Sequence, residues 1–282
     1  MRIAFCACSK THKEPEHHAW SDISRQEPDL LLLLGDLVYA PNRKWQWRES
    51  RRARMFARFR ERYREHFARA DFRELLDKVK HAAIWDDHDF AWNDCCGAKM
   101  PADIKANARA LLDEFLGDRI GRTPERIYHS FELESDSVKV IMLDCRSFRT
   151  RAKKKGTMLG KQQLEWLLQE LDHQSEITIV ANGSCLTRGL SGWDRFDREF
   201  AQVTRAFAER GKILYLGGDI HKNTFESGEG FHEAISSGVG RKDRGNFGLV
   251  DIDAKVLTVQ FIGRRERDRS THRIDRKTWR AC

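Results

Sequence analysis

The segment IWDDHDFAWND, residues 84–94, places four aspartates and one histidine within eleven positions. Carboxylates at this spacing repel one another, and burying one without a partner costs several kcal/mol. Bound cations remove the repulsion because they supply the opposite charge. The segment therefore indicates a site for a pair of metal ions, which together can activate water.

Other residues that can bind metals follow apolar runs elsewhere in the sequence. In a sheet wound with helices, functional groups collect beyond the carboxyl ends of the strands, so we expect these side chains to converge. A carboxylate there can bridge two ions, while imidazole, amide, phenol and thiolate groups fill the remaining positions. The candidate ligands in chain order are Cys8 after RIAFCA, Asp36 and Tyr39 after DLLLLLG, Asp87 after HAAIW, Asn182 after TIVA, and Asp219 and His221 after KILYLGG.

Each of these features has a commoner explanation when taken alone. A Gly-Asp pair after an apolar run is often only a turn. Asp86 or Asp87 could cap the following helix, and Cys8 could be a small buried hydrophobic residue. The recurrence of three acidic clusters at strand ends favours the metal site over these alternatives.

The elements that must position these groups are predicted by apolar runs that alternate with longer amphipathic patterns. Strand, helix, strand repeated in this way predicts an α/β fold in which helices cover a sheet. The hairpin expected near Asp253 is typical of an antiparallel addition. The predicted strands are 2–7, 29–34, 81–85, 138–143, 176–181, 212–216, 224–227, 231–236, 248–253 and 256–262, and the predicted helices are 15–26, 45–70, 71–80, 101–116, 161–172 and 195–210.

The 282 residues predict one domain, with a basic helical insertion at about 41–80 and a basic tail from about 264. Residues 43–69 hold eleven Arg or Lys against three Glu, within a formal net charge of +8. Such a stretch is either a solvated helix face or a surface that binds nucleic acid through its phosphates. Phe56, Phe59, Tyr63 and Phe67 recur at helical spacing, which favours a buried stripe with the arginines outside.

The cysteines and the apolar segments bear on the cellular environment. Seven scattered cysteines with no CxxC pair indicate reduced thiols. No apolar stretch reaches the length of a membrane span, and no secretory signal is visible at the first residues. A cytoplasmic location is therefore expected, and the sequence leaves the oligomeric state open.

The order of the segments CACS, LGDLVYA, WDDHDFAWND, LDCRSFR, MLGKQQLEWLLQEL, GWDRF and GGDIH resembles a known family. Between about residues 3 and 221, the sequence is similar to the alkaline phosphatase D-like (PhoD-like) branch of the calcineurin-type metallophosphoesterases. The resemblance implies a four-layer αββα sandwich, in which two mixed β-sheets pack face to face between helices. It also implies a dinuclear metal centre at one end of the sandwich.

The resemblance assigns a role to each candidate ligand. Asp36 would bridge both ions, and the first ion, implied to be Fe(3+), would also be held by Cys8, Tyr39 and His221. The second ion, Ca, Mn, Zn or Mg, would be held by Asp87 and Asp219, and Asn182 would be a further metal ligand. Two positions depart from the wider superfamily, since CACS replaces Asp-x-His on the first strand and Asn182 stands where a histidine is usual.

The function implied is hydrolysis of a phosphomonoester or phosphodiester by a metal-bridging hydroxide. His88 would donate a proton to the leaving group, and Arg146 and Arg149 would bind phosphate oxygens. These two could equally be surface arginines near a helix start. Two alternatives remain, a nuclease-like phosphodiesterase that uses the basic insertion, and a catalytically inactive protein that binds phosphorylated ligands.

Overall fold

The leucine run of the second predicted strand forms the middle of a parallel sheet. All five residues of Leu30–Leu34 are buried, as expected for a parallel strand that is covered on both faces. The computed structural model describes residues 1–10, 18–40, 43–123, 125–133, 137–152, 155–173, 175–187, 192–241 and 244–282.

The strands form two mixed sheets. The strands are β1 Arg2–Cys6, β2 Leu30–Leu34, β3 Lys80–Ile84, β4 His129–Leu133, β5 Val138–Met142, β6 Ile177–Ala181, β7 Ile213–Gly217, β8 Asn223–Gly228, β9 Phe231–Ser236, β10 Phe247–Ile252, β11 Val256–Ile262, β12 Ser270–Asp275 and β13 Arg280–Ala281. The first sheet has the order β13-β12-β11-β10-β1-β2-β3, and the second has the order β4-β5-β6-β7-β9-β8.

Helices cover the outer face of each sheet and complete the predicted four layers. One buried core joins the first sheet, the inner face of the second sheet and the helices on the first sheet. A second core joins the outer face of the second sheet to its own helices. The helices are α1 Ala19–Ser24, α2 Arg52–Phe67, α3 Ala70–Lys78, α4 Asp87–Phe90, α5 Ala102–Phe115, α6 Gly160–Asp172 and α7 Asp197–Arg210.

The parallel strands bring the candidate ligands to one edge. β1, β2 and β3 run parallel in the first sheet, and β5, β6, β7 and β9 run parallel in the second. Every predicted strand is present, and the hairpin between β10 and β11 is confirmed. Within the described residues, no helix combines the length and apolar content that crossing a membrane requires.

The sequence-based boundaries were wrong where polar or turn residues decide the chain path. The helix predicted at 45–70 begins only at Arg52, because Arg48 is extended (φ −60°, ψ 148°) and separates two short 3-10 turns from α2. This break lets the Trp47 ring reach Phe56 and Phe59. Of the predicted helix 15–26, only Ala19–Ser24 forms α1, and residues 15–17 lie outside the described residues.

Three strands were not predicted because their sequences lack an apolar run. The strand β4 reads HSFEL, and β12 reads STHRID with only Ile274 buried. The segment from residue 264 onward adds β12 and β13 to the edge of the first sheet. This basic segment is therefore part of the sheet.

The basic helix α2 uses most of its arginines in ion pairs. Its apolar stripe packs inward, with Met55, Phe59 and Tyr63 buried. Of its six arginines, four pair with nearby carboxylates, namely Arg52, Arg60, Arg62 and Arg64. Helix α2 therefore has a buried apolar stripe and a solvated basic face, which is the interpretation that the aromatic spacing favoured.

Replacing Leu32 with alanine should destabilise the protein strongly. Leu32 has no exposed surface and lies between Phe5 of β1 and Ala82 of β3. The cavity left in this position should lower the free energy of unfolding by about 2–5 kcal/mol. Urea denaturation measures the difference. Lys161→Ala, at a side chain that is 88% exposed, serves as control and should change stability by less than about 0.5 kcal/mol. Equal effects of the two substitutions would contradict the central place of β2.

Candidate metal centre

The candidate ligands lie on loops from both sheets that meet at one edge. The N–H of Cys8, after β1, donates to the carbonyl of Gly35, after β2, over 3.2 Å. Gly35 has a φ of +83°, and a Cβ there would lie 2.4 Å from the backbone nitrogen of Asp86, so only glycine lets the loops after β2 and β3 approach this closely. The Cys8 Sγ lies 3.9 Å from the carbonyl oxygen of Asp219, which follows β7.

Two groups of donor atoms share the carboxylate of Asp36. One group contains Cys8, Asp36 and His221, and the other contains Asp36, Asp87 and His88. Within each group, the donor atoms lie within 4.8 Å of one another. The Cys8 Sγ is 3.5 Å from Asp36 Oδ2, and the backbone N–H of His88 donates to Asp36 Oδ1 over 3.1 Å. Four of the residues predicted from the sequence therefore surround the carboxylate of a fifth, Asp36.

Tyr39 and Asp219 face the same cluster. The Tyr39 hydroxyl lies 3.3 Å from His221 Nε2, and its ring centroid lies 4.2 Å from that of His88. The negative charge of Asp219 is close enough to raise the pKa of both Cys8 and Asp36. Both residues thus lie where the sequence placed them.

The backbone is left-handed at four of the candidate ligands. The φ angles are +65° at Cys8, +53° at Asp36, +72° at Asp219 and +55° at His221. Non-glycine residues rarely adopt this conformation, and such strain of order 1–3 kcal/mol clusters at functional sites. Strain at four side chains that converge on one point indicates a function for that point.

The four aspartates of residues 84–94 make different contacts. Asp89 accepts hydrogen bonds from the backbone N–H groups of Asp36, Val38 and Asp86, so it holds the loop after β2 against the loop after β3. Asp86 is paired with Arg146, while Asp87 lies in the donor cluster.

The fourth aspartate, Asp94, is exposed and supports Asp87 from the loop beyond α4. Its backbone N–H donates to Asp87 Oδ2. A single short segment therefore supplies one candidate ligand and three supporting groups.

Burial and mutual repulsion perturb the protonation of the cluster. Burial raises the pKa of Asp36 far above its ordinary value, and the negative charges of Asp87 and Asp86 raise it further. Burial also raises the pKa of the Cys8 thiol, as do the carboxylates of Asp36 and Asp219. Burial and the nearby Arg241 lower the pKa of His221 to about 3. The imidazole is therefore neutral, which is the form that binds a metal.

The donor set fits metal ions. It combines thiol, phenol, imidazole and carboxylate groups, which suit transition metals more than an all-oxygen site would. His88 Nδ1 is buried and has no hydrogen-bond partner among the described residues, which is unusual unless another group meets it. Cations at this point would reverse the electrostatic cost of gathering Asp36, Asp87 and Asp219.

Two other predicted residues are engaged in contacts of their own. The amide oxygen of Asn182 accepts from the N–H of Ser184 over 3.2 Å, and its amide nitrogen lies 3.6 Å from Met158 Sδ. Arg146 is fully buried, and its Nε donates to Asp86 Oδ1 over 2.5 Å. In this structure Arg146 therefore fixes Asp86, next to the candidate ligand Asp87, and does not reach solvent.

Arg149 differs from Arg146 because it borders a cavity. Its guanidinium lies 5.0 Å from the centroid of the Phe196 ring, and Nη1 lies 3.5 Å from Ser184 Oγ. The side chain is 3% exposed and lines the wall of an adjacent pocket. It is placed to meet an anion in that pocket.

Sequence reasoning missed several groups around the cluster. Lys10 Nζ lies 5.0 Å from the centroid of the Tyr39 ring, and Arg241 Nη2 lies 3.3 Å from His221 Nε2. Arg244 donates to the carbonyl of His221. The segment SGVGRKDRG follows a strand and combines glycines with basic residues, which is a signal that could have indicated an anion site.

Comparisons with known proteins identify the family and support the fold. Residues 3–239 match the family model of the PhoD-like phosphatases. The fold is similar to the structure of PhoD, with a TM-score of 0.75 and 14% identity over 100% of this chain and 71% of that one. It is also similar to a dimetal phosphatase from Danio rerio, with a TM-score of 0.63 and 12% identity over 96% of this chain and 98% of that one. GAP50 from Plasmodium gives a TM-score of 0.58 with 11% identity over 98% and 88% of the two chains. No curated protein matches the sequence.

Removing the partner of Asp86 should be costly. Arg146→Met leaves Asp86, which is 1% exposed, as an uncompensated buried charge, and this should lower the free energy of unfolding by about 3–5 kcal/mol. Denaturant titration checks the value. Arg205→Met removes an exposed pair with Glu209 and should have a much smaller effect. If the two variants were equally stable, the Asp86–Arg146 pair would not hold the loop after β3.

Proposed function

Because this chain belongs to the PhoD-like phosphatase family and is therefore a metal-dependent phosphoric ester hydrolase, we propose that the cluster around Asp36 is its active site and holds two metal ions. The observation that carries the proposal is the position of Asp36 between two groups of donor atoms. A carboxylate with one oxygen toward each group is suited to bridge a pair of ions.

The proposed ligands divide between the two ions. Cys8, Tyr39 and His221 would complete the shell of one ion, and their convergence on one side of Asp36 supports this division. Asp87 and Asp219 would hold the other ion. Asn182 stays a predicted ligand of that ion, because its amide oxygen has a second lone pair beyond the one that Ser184 uses.

The ions, when bound, supply Lewis acidity that lowers the pKa of water and neutralises charge on the phosphate. Lys10 and Arg241 add positive charge on the His221 side, where they can bind oxygens of the ester. His88 is 8% exposed and packs on the Tyr39 ring, which would orient it to give a proton to the departing alkoxide. Arg146 acts as a positioning residue through Asp86, and Arg149 binds the substrate from the side of the pocket.

We further propose that the ion beside Tyr39 is Fe(3+) and that the other is divalent. A buried phenol and a buried thiol near one point are donors that give iron a visible charge-transfer absorption. Burial raises the pKa of Tyr39 well above its usual value, so a strongly charged cation is needed to bind it as phenolate. The remaining aspartates are oxygen donors that suit Ca, Mn, Zn or Mg.

Asp36→Asn should abolish hydrolysis and leave the fold intact. Loss of the bridging charge should lower kcat for bis-p-nitrophenyl phosphate to below about one thousandth of wild type. Circular dichroism and thermal melting report the fold. Asp118→Asn, at a side chain that is 81% exposed, is the matched control and should keep full activity. Near wild-type rates in Asp36→Asn would contradict the assignment of Asp36 as the bridging ligand. If the wild-type protein turned over no substrate with any metal, a non-catalytic phosphate-binding protein would be favoured.

The metal content gives an independent measurement. Elemental analysis of purified protein should find about two metal ions per chain, one of them iron. The visible spectrum of the same protein should show a violet absorption band. Tyr39→Phe should remove or shift that band, whereas Tyr128→Phe, at a buried tyrosine packed on Trp166, should leave it unchanged. Iron-free protein with full activity would contradict the iron assignment but not the two-ion site.

A further inference from the structure

A large pocket opens beside the candidate metal centre. Its volume is about 1290 Å³, which is ample for a ligand of the size of a nucleotide. Its walls come from the 3-10 turns before α2, the loop after α4, the start of α5 and the segment that follows Arg149. Three tryptophans, Trp45, Trp47 and Trp92, line it together with several basic residues. We call it the tryptophan pocket.

The tryptophan pocket borders the loop that supports Asp87. Asp94 lines the pocket, and its backbone N–H donates to Asp87 Oδ2. Trp92 follows α4, the short helix that begins with Asp87. Arg149 also lines the pocket. A phosphate ester held at Asp87 would therefore direct one substituent into this pocket.

The pocket carries a strong positive charge. Six basic side chains line it against the single acid Asp94. Five of the six are exposed, and among the described residues none of these five forms an ion pair, namely Lys44, Arg48, Lys99, Arg151 and Lys155. The arginines of α2 differ, because four of its six are paired with carboxylates. The anion-binding capacity on this side of the molecule is therefore concentrated in the pocket.

The pocket also carries aromatic surface. Trp45 is 46% exposed and is the one large hydrophobic side chain that is strongly exposed in the described part of the chain. The guanidinium of Arg51 lies 5.1 Å from its ring centroid and covers it from one direction. Trp47 and Trp92 also line the pocket, with their ring centroids 6.1 Å apart. An indole face beside several cations is suited to stack a planar base whose attached phosphate needs a positive partner.

We infer that the tryptophan pocket binds the leaving group of the substrate, and that this leaving group is a nucleoside monophosphate. The base would stack on Trp45, and its phosphate would meet Lys44, Arg48 or Lys155. The inference rests on the proposed function, because it assumes that the transferred phosphoryl group lies at Asp36 and Asp87. In the reaction, the oxygen of water forms a bond to that phosphorus and gives up a proton, the bond from phosphorus to the oxygen of the nucleoside monophosphate breaks, and the leaving oxygen takes up a proton or departs as an anion.

A small nucleotide fits the observations better than a nucleic acid strand. The cations surround a pocket and do not extend as an unpaired stripe along α2. The substrate class is therefore a nucleotide with a pyrophosphate link.

The test uses the metal-loaded full-length protein and α,β-methylene-ADP, whose P–C–P link cannot be hydrolysed. Binding is followed by quenching of tryptophan fluorescence and by calorimetry. Methylenediphosphonate supplies the charge without the base, and adenosine supplies the base without the charge. The nucleotide should bind at least about tenfold more tightly than either fragment, since base stacking on an aromatic side chain alone is worth about this factor.

Variants assign the binding to the pocket. Trp45→Ala should weaken α,β-methylene-ADP about tenfold and leave methylenediphosphonate unchanged. Trp279→Ala, next to β13 at the far edge of the first sheet, is the matched control and should change neither affinity. Equal affinities of Trp45→Ala and Trp279→Ala for the nucleotide, or equal binding of methylenediphosphonate and the nucleotide to wild type, would overturn the inference. Tighter binding of a single-stranded oligonucleotide than of the nucleotide would overturn the small-substrate assignment.

Parallel turnover of bis-p-nitrophenyl phosphate distinguishes a failure of the proposed function from a failure of the pocket assignment. No turnover with any metal would overturn the proposed function. Turnover by wild type, combined with unchanged nucleotide affinity in Trp45→Ala, would overturn the role of the pocket alone.

Discussion

The carboxylate of Asp89 is the interaction on which the arrangement of the centre depends. It accepts from the N–H groups of Asp36, Val38 and Asp86, and so ties together two loops that follow adjacent parallel strands. Burial raises the pKa of Asp89 and the three N–H groups oppose that rise, with a net pKa of about 7. Together with the N–H of His88, which donates to Asp36 Oδ1, this contact fixes the shared carboxylate of Asp36 between its two groups of neighbours.

The segment 84–94 contains both a candidate ligand and the groups that support it, because its aspartates point in different directions. Asp87 faces the centre, while Asp86 faces away toward Arg146. Burial opposes the charge of Asp86, but Arg146 outweighs burial and lowers the pKa of that carboxyl. The aspartates thus differ in function because each one meets a different partner, although they are neighbours in sequence.

The sequence was sufficient to predict the sheet core and the place of the centre. Apolar runs such as Leu30–Leu34 specify parallel strands, and topology then brings Cys8, Asp36, Asp87 and His221 together. It was not sufficient where long-range pairing decides the outcome. Neither the burial of Arg146 against Asp86 nor the approach of Arg241 to His221 has a local signal, because each joins residues far apart in the chain. Likewise, β12 is a strand because it pairs with β11, since its own residues are mostly polar.

The left-handed backbone at Cys8, Asp36, Asp219 and His221 has an evolutionary consequence. Glycine would occupy each of these positions with less strain, so selection for folding alone favours losing the very side chains that the proposed metal centre requires. A descendant freed from its enzymatic duty would drift toward glycine at these four positions and become more stable as it did so. On the proposed assignment of these four residues as metal ligands, their side chains trade stability for activity.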